Sequence, residues 1–150
     1  MSHKHPIIAI TGSSGAGTTT IKDTFEKIFN REGVTAAFIE GDAFHRYDRA
    51  GMKEKVAEEE AKGNEHFSHF SPEANELEIL ESVFEQYGRK GTGKTRHYVH
   101  DDKEAEIYGA PPGTFTDWAD LEPSDLLFYE GLHGCVKTGA IDLPKHIDLK

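Results

Sequence analysis

The sequence predicts an α/β protein with a parallel sheet, because strand, helix and strand patterns follow one another near its start. Residues 7–10 are a short β-branched run followed by a glycine-rich turn, which predicts a buried strand. Residues 18–31 carry apolar side chains at helical spacing, and Gly33 is positioned to end that helix. Residues 34–39 predict a second buried strand. A strand–helix–strand unit of this length joins parallel strands.

The remainder of the chain predicts further helices and strands. A very polar helix is predicted over residues 49–62 and a more apolar one over residues 72–87, which Gly88 should close. Three more strands are predicted: an edge strand at residues 95–100, a buried strand at residues 126–129, and the first residues of another at residues 147–149.

Composition limits the partners that the protein is expected to have. The chain has 150 residues, which suits one domain with a sizeable core. Its formal net charge of −10 argues against nucleic acid or an anionic membrane surface as the main partner. The apolar run at residues 7–10 is too short for a signal peptide or a membrane span. Cys135 is the single cysteine, so no intrachain disulfide can form and a cytoplasmic location is expected.

The strongest functional signal is the glycine-rich segment between the first predicted strand and helix. Its glycine spacing is that of a P-loop, in which backbone N–H groups turn toward phosphate oxygens and the helix N-terminus adds positive charge. Thr19 stands where a P-loop hydroxyl binds Mg²⁺, so ATP and Mg²⁺ are the predicted ligands. The alternative is an ordinary glycine-serine turn before a helix. The predicted phosphate-binding residues are Gly12, Ser13, Ser14, Gly15, Ala16, Gly17, Thr18, Thr19 and Thr20.

One position departs from the P-loop pattern. Thr18 stands where the loop usually carries a lysine that contacts the β- and γ-phosphates. A threonine removes that positive charge, so another cation has to supply it.

Two acidic residues follow predicted strands. Asp42 comes just after the strand at residues 34–39, at the sheet edge where ligands of open α/β sheets bind. A carboxylate there can accept the proton of a hydroxyl that attacks the γ-phosphate, whereas a helix N-cap or turn aspartate is the alternative. Glu130 ends the strand at residues 126–129, as a Walker-B carboxylate that holds Mg²⁺ does. Many strands end in acids, so the interpretation of Glu130 depends on the P-loop.

Several basic residues are candidates for binding the acceptor substrate. His45, Arg49 and Lys53 are spaced by four residues and share one face if the segment is helical. Together they could bind the phosphate of a sugar phosphate. A surface face that pairs with nearby glutamates is the alternative. His100 precedes two aspartates and is interpreted as a loop residue near the substrate, with a polar turn as the alternative.

Five motifs in order resemble the bacterial phosphoribulokinases, a P-loop kinase group related to the uridine kinases. The motifs are GSSGAGTTT at residues 12–20, EGDAFHR at residues 40–46, FSHFS with EAN at residues 67–75, YVHDD at residues 98–102 and FYEGLHG at residues 128–134. The bacterial branch shares the threonine found here at Thr18. The resemblance covers the whole chain.

The resemblance implies a fold and a reaction. The implied fold is the three-layer α/β/α architecture of P-loop kinases, with a mainly parallel, mixed sheet that is incomplete here. The implied reaction transfers phosphate from ATP to the C1 hydroxyl of D-ribulose 5-phosphate, in the Calvin cycle. Asp42 would be the base and Glu130 a metal-side carboxylate, while His45, Arg49 and Lys53 would bind the sugar phosphate.

The resemblance also implies regulation and length. It implies a homo-oligomer activated by NADH, without the plant branch's disulfide switch, because Ala16 stands at the position of the switch cysteine. Family chains are roughly twice as long, so the chain is expected to be the N-terminal half of the kinase domain. The cation that replaces the P-loop lysine is then expected beyond Lys150.

Two alternatives stay open at this point. The acceptor could be a nucleoside, as in the uridine kinases, although a nucleoside needs no cluster of cations. The chain could also be a nucleotide-binding fragment without catalytic activity of its own.

Overall fold

The computed structural model describes residues 4–13 and 15–150, and Ser14 of the predicted loop lies outside them. The strands are β1 (Ile7–Thr11), β2 (Ala36–Glu40), β3 (Lys94–Thr95), β4 (Ala119–Asp120) and β5 (Leu126–Gly131). The α-helices are α1 (Thr18–Glu32), α2 (Arg49–Ala61), α3 (Leu77–Lys90) and α4 (Asp102–Tyr108). Short 3₁₀ turns occupy Gly41–Phe44, Pro72–Ala74 and Pro144–His146.

The central sheet has three parallel strands in the order β1-β5-β2, which confirms the predicted parallel sheet. The two strands of the predicted strand–helix–strand unit are not neighbours, because β5 lies between them. In the register, Ile10 and Glu40 both pair with Glu130. The carboxyl ends of all three strands therefore meet at one edge of the sheet.

Helices cover both faces of this sheet, as the three-layer prediction requires. Alternate side chains of β5 point to opposite faces, because successive residues of a strand do so. Leu127 and Tyr129 pack in the core that α3 covers, while Leu126 and Phe128 pack in a smaller core with Phe29 of α1. The side chains of residues 126–129 are all buried, which explains why this part of β5 is a continuous apolar run in the sequence.

The start of α3 differs from the prediction of one helix over residues 72–87. A 3₁₀ turn covers Pro72–Ala74, the backbone is extended at Asn75, and α3 runs from Leu77 to Lys90. Gly88 does not close the helix, and that part of the prediction is wrong. The helix ends at Gly91, whose φ of 69° gives the left-handed conformation that glycine adopts easily.

Three other segments also differ from the prediction. The edge strand expected at residues 95–100 is reduced to β3, which pairs with β4 in a separate antiparallel ribbon. The helix α4 was not predicted, although the Asp101 side chain caps it by accepting a hydrogen bond from the Glu104 backbone N–H. The strand expected at residues 147–149 is represented by one parallel bridge between Ile8 and Leu149.

Within the described part of the chain, each helix is too short or too polar to cross a membrane.

Candidate active site

A cleft of about 360 Å³ lies where the carboxyl ends of the three parallel strands meet the start of α1. This is the position at which open α/β sheets bind ligands. The residues that line the cleft are Gly12, Ser13, Gly15, Thr18, Thr19, Lys22, Glu40, Asp42, His100, Glu104, Glu130, Gly131 and Leu132.

The glycine-rich loop between β1 and α1 lines the cleft. Gly15 and Gly17 have φ values of 82° and 84°, in the left-handed region that a residue with a Cβ adopts at a cost of roughly 1–2 kcal/mol. The backbone N–H of Gly12 donates to the Gly131 carbonyl at 3.3 Å, which holds the loop against the end of β5. The first turn of α1 contains only threonines and Ile21, so no acidic side chain competes there with a bound anion.

Of the eight predicted loop residues that the structure describes, five line the cleft. Among the described residues, Ala16, Gly17 and Thr20 belong to the same loop and helix start but do not line it. The arrangement is that of a P-loop in its strand–loop–helix context.

Lys22 is a cation in the cleft that sequence reasoning missed. It lies one helical turn after Thr18 on α1, and its Nζ atom is 3.1 Å from Oε1 of Glu40. Burial opposes the charged form, but the charge and hydrogen bond of Glu40 outweigh it and raise the pKa of Lys22. A positive charge therefore lies in the cleft despite Thr18, and the i, i+4 spacing from Thr18 is the signal that could have identified it.

Asp42 lies in the turn that follows β2, and both of its carboxylate oxygens face histidines. Nε2 of His45 is 3.2 Å from Oδ1, and Nε2 of His100 is 2.8 Å from Oδ2. The hydrogen bond from His45 is the main cause that lowers the pKa of Asp42 to about 2, with burial opposing and His100 adding to the shift. The carboxylate is thus ionised and oriented at neutral pH.

Glu130 at the end of β5 and Thr19 at the start of α1 line the same cleft. A carboxylate and a hydroxyl are hard oxygen donors of the kind that Mg²⁺ prefers, so the residues fit that ion. Among residues 4–13 and 15–150, no three histidine, cysteine, aspartate or glutamate side chains are arranged to hold a metal by themselves. Protein ligands of Mg²⁺ in kinases are usually one or two, and phosphates and water provide the rest.

The proposed single face of His45, Arg49 and Lys53 is wrong. His45 precedes α2, is buried, and pairs with Asn75 across an isolated bridge. The helix begins only at Arg49, because Asp48 caps it by accepting from the Gly51 backbone N–H. Within the described chain, the structure brings His45 and His100 to Asp42 but leaves Lys53 exposed on α2.

Arg49 is not one of the residues that line the cleft, but it contacts His100, which is. Its Nη2 donates to the His100 carbonyl at 2.9 Å, so it fixes the backbone that carries His100. Nδ1 of His100 is 2.9 Å from Oε2 of Glu104 on α4. Burial opposes the charged ring, but Asp42 and Glu104 outweigh it and raise the pKa of His100.

Glu40, Glu104 and Asn75 were not predicted as site residues, although Glu40 and Asn75 belong to two of the five motifs. Glu40 is the last residue of β2, directly before the motif that carries Asp42. Glu104 follows Asp101 at the spacing of a helix N-terminus, which was detectable. Asn75 contacts His45 from 30 residues away, and no local pattern encodes such a contact.

A P-loop between a strand and a helix, with carboxylates at the ends of the two neighbouring strands, defines the class of P-loop kinases. Residues 7–150 match the Phosphoribulokinase / Uridine kinase family, and the chain belongs to that family. The family resemblance predicted from the motifs is thereby confirmed.

Individual relatives agree with this assignment. The chain is 70% identical over 150 residues to the phosphoribulokinase of Sinorhizobium medicae (strain WSM419), covering 100% of this chain and 52% of the relative. The solved phosphoribulokinase from Rhodobacter spheroides superposes with a TM-score of 0.88 at 53% identity, over 99% of this chain and 50% of that chain. A possible uridine kinase from Bacillus stearothermophilus shares the fold, with a TM-score of 0.68 at 16% identity over 99% of this chain and 70% of that chain. The chain thus spans about half the length of the phosphoribulokinases that it matches.

Proposed function

We propose that the full-length protein transfers the γ-phosphate of ATP to the C1 hydroxyl of D-ribulose 5-phosphate, giving ribulose 1,5-bisphosphate. The observation that carries this proposal is the cleft in which the P-loop, Asp42 and Glu130 meet. The names of the relatives support the substrate, because the chain is 70% identical to one phosphoribulokinase and 53% identical to another. This reaction belongs to carbon fixation by the Calvin cycle.

In this proposal Asp42 is the general base. As the O–H bond of the C1 hydroxyl breaks, its proton passes to the Asp42 carboxylate and the hydroxyl oxygen bonds to the γ-phosphorus while ADP leaves. Backbone N–H groups of residues 12–20, and the N-terminus of α1, hold the phosphates. A pKa of about 2 makes Asp42 a weak base while both histidines contact it, so one histidine contact has to be exchanged for the substrate hydroxyl.

Thr19 and Glu130 are proposed to hold Mg²⁺, which supplies charge neutralisation to the phosphates when bound. The charge balance of the cleft supports this role. Among the described residues, four carboxylates line it, against the Lys22 ammonium and the His100 ring, whose pKa is raised by Asp42 and Glu104 against the effect of burial. The carboxylates are Glu40, Asp42, Glu104 and Glu130. A polyphosphate entering such a site needs additional positive charge.

The acceptor phosphate is proposed to bind near His45, Arg49, Lys53 and His100. His100 lines the cleft and Arg49 supports its backbone, so the two have the clearest structural connection to the acceptor. We extend the proposal to the remaining family properties: NADH as an allosteric activator, a homo-oligomer, and a cytoplasmic location without nucleic acid or membrane partners.

The base assignment is tested with Asp42→Asn in the full-length protein. Turnover of ribulose 5-phosphate should fall by roughly 10²–10⁴-fold, the usual contribution of general acid–base catalysis, while ATP still binds. ADP release measured by a coupled assay gives turnover, and calorimetry gives ATP affinity. Near-normal turnover in this variant would refute the assignment.

The acceptor is tested by offering ribulose 5-phosphate and uridine to the same preparation. The basic residues Arg49, Lys53 and His100 favour the sugar phosphate, because a nucleoside carries no phosphate to pair with them. A higher kcat/KM for uridine would refute the proposed acceptor and keep the kinase class. Absence of turnover with both would favour a nucleotide-binding role.

Lys22 is proposed to supply part of the charge that Thr18 lacks. Lys22→Met should raise KM for ATP by about tenfold, as expected for the loss of one hydrogen bond to a charged group. Lys27→Met is the matched control, because it removes an exposed lysine from the same helix. Equal KM values for the two variants would show that Lys22 does not supply this charge and that other residues supply all of it.

A further inference from the structure

Asn75 is a buried amide at the centre of a hydrogen-bond network behind Asp42. Only 1% of its surface is exposed. Its Nδ2 donates to the carbonyls of His69 and Ser71, both at 2.9 Å. Its Oδ1 lies 2.9 Å from Nδ1 of His45. The residue also interrupts the helical segment between Pro72–Ala74 and α3, so it holds an extended backbone where the apolar pattern favours a helix.

These contacts fix which way the amide faces. An amide nitrogen has two hydrogens and accepts none, and both hydrogens of Asn75 point to backbone carbonyls. Reversing the amide would bring its oxygen against two carbonyl oxygens. Oδ1 of Asn75 must therefore face His45, and it can only accept.

The fixed amide of Asn75 determines which group the Nδ1 side of the His45 ring meets. Nδ1 of His45 faces an amide oxygen, and Nε2 lies 3.2 Å from Oδ1 of the Asp42 carboxylate. Both of these oxygens accept hydrogen bonds. An N–H group on each ring nitrogen would complete both contacts.

The groups around His45 bear on whether both of its ring nitrogens can carry a hydrogen. Burial, with a contribution from His45, lowers the pKa of His69 and of His133, so these two rings are neutral. The other titratable or charged groups around His45 are Asp42, Tyr98 at 6.1 Å between ring centroids, and Arg96, which donates to the His45 carbonyl.

We propose that Asn75 is a positioning residue for the base: its fixed amide keeps His45 donating to Oδ1 of Asp42, which leaves Oδ2 as the oxygen that takes the substrate proton. This inference rests on the proposed function. Oδ2 is the Asp42 oxygen that contacts His100. His100 lines the cleft, whereas His45 is not one of the described residues that line it. When the substrate hydroxyl replaces His100 at Oδ2, its O–H bond breaks, the new H–Oδ2 bond forms, and the freed oxygen pair bonds to the γ-phosphorus as ADP leaves.

The test uses Asn75→Ala and Asn75→Asp in full-length protein labelled with ¹⁵N at histidine. In the unmutated protein near pH 7.5, both ring nitrogens of His45 should show the shifts of N–H groups. Asn75→Ala should remove the hydrogen from Nδ1 and lower kcat by about 100-fold, the cost of a small misplacement of a reacting group, with KM for ATP nearly unchanged. Asn75→Asp keeps an acceptor toward Nδ1, so it should retain both hydrogens on His45, while its second oxygen faces the carbonyls of His69 and Ser71 and should lower the free energy of unfolding.

The matched control is Ser124→Ala, which removes the 2.7 Å hydrogen bond to the Tyr87 hydroxyl, outside the cleft. A single hydrogen on His45 in the unmutated protein would overturn the proposal. So would a kcat for Asn75→Ala no lower than that of Ser124→Ala, or an Asn75→Asp variant with one His45 hydrogen. If Asn75→Ala does not fold, the unmutated spectrum and Asn75→Asp decide. The nitrogen shifts need no turnover, so they remain decisive if ribulose 5-phosphate is not the substrate.

Discussion

The two sides of Asp42 use the same hydrogen-bond pattern in different surroundings. On each side a histidine ring lies between an Asp42 oxygen and a second acceptor. The His45 side chain is 9% exposed and its second acceptor is the neutral, buried amide of Asn75. The His100 side chain is 39% exposed and its second acceptor is the carboxylate of Glu104 on the short helix α4.

This difference in burial should make the contact between His45 and Asp42 harder to break than the contact between His100 and Asp42. A buried hydrogen bond is costly to break, because the partners left behind cannot turn to water. An exposed charged contact is weakened by solvent and salt, and its partners are rehydrated when it opens. The comparison indicates that His45 holds Asp42 in place, while His100 can yield its position to a substrate.

The largest expected effect compares His45→Phe with His100→Phe. Phenylalanine keeps an aromatic ring but cannot donate, so His45→Phe leaves the buried Asn75 oxygen without a partner. The free energy of unfolding should fall by roughly 1–3 kcal/mol, the cost of one unsatisfied buried group, and by less than about 0.5 kcal/mol for His100→Phe. Urea denaturation of both variants measures the difference. Equal losses would show that burial does not distinguish the two sides.

A smaller effect is expected from pH, and it should come from the His100 side. Because the folded-state pKa of His100 is raised, its contribution to stability is complete below the unfolded value of about 6.5 and is lost as pH rises through the folded value. The stability difference between the unmutated protein and His100→Gln should therefore shrink from pH 6 toward alkaline pH. Glu104→Gln should move this loss to lower pH. A difference that grows with pH would contradict the sign of the shift.

The smallest expected effect is that of salt. The Debye length falls from about 10 Å at 0.1 M to about 3 Å at 1 M ionic strength, so exposed charge pairs are screened. The pKa of His100, followed by proton NMR, should move toward its ordinary value at 1 M salt. The shifts of the His45 ring should change less, because its second partner is neutral and buried. A larger change with salt at His45 than at His100 would contradict the idea that the His45 side is the more buried and fixed one.

Parts of the site that depend on short stretches of sequence were predictable. The loop at residues 12–20 was found because its glycine spacing reflects a backbone conformation, and Gly15 and Gly17 adopt it. Asp42 was found because it comes two residues after a strand, and Glu130 because it lies at the end of one. The prediction that His45, Arg49 and Lys53 share one helix face was wrong, because spacing by four implies a shared face only within one helix. Asp48 starts that helix after His45.

Local periodicity and turn chemistry were enough to predict the parallel sheet, the loop and the carboxylates at the strand ends. Long-range packing decided that β5 lies between β1 and β2, and that Lys22 lies in the cleft beside Glu40. It also decided that Asn75 stands behind His45, across 30 residues of chain. The physical reason is that packing and buried hydrogen bonds select partners by distance in space, which periodicity along the chain does not record.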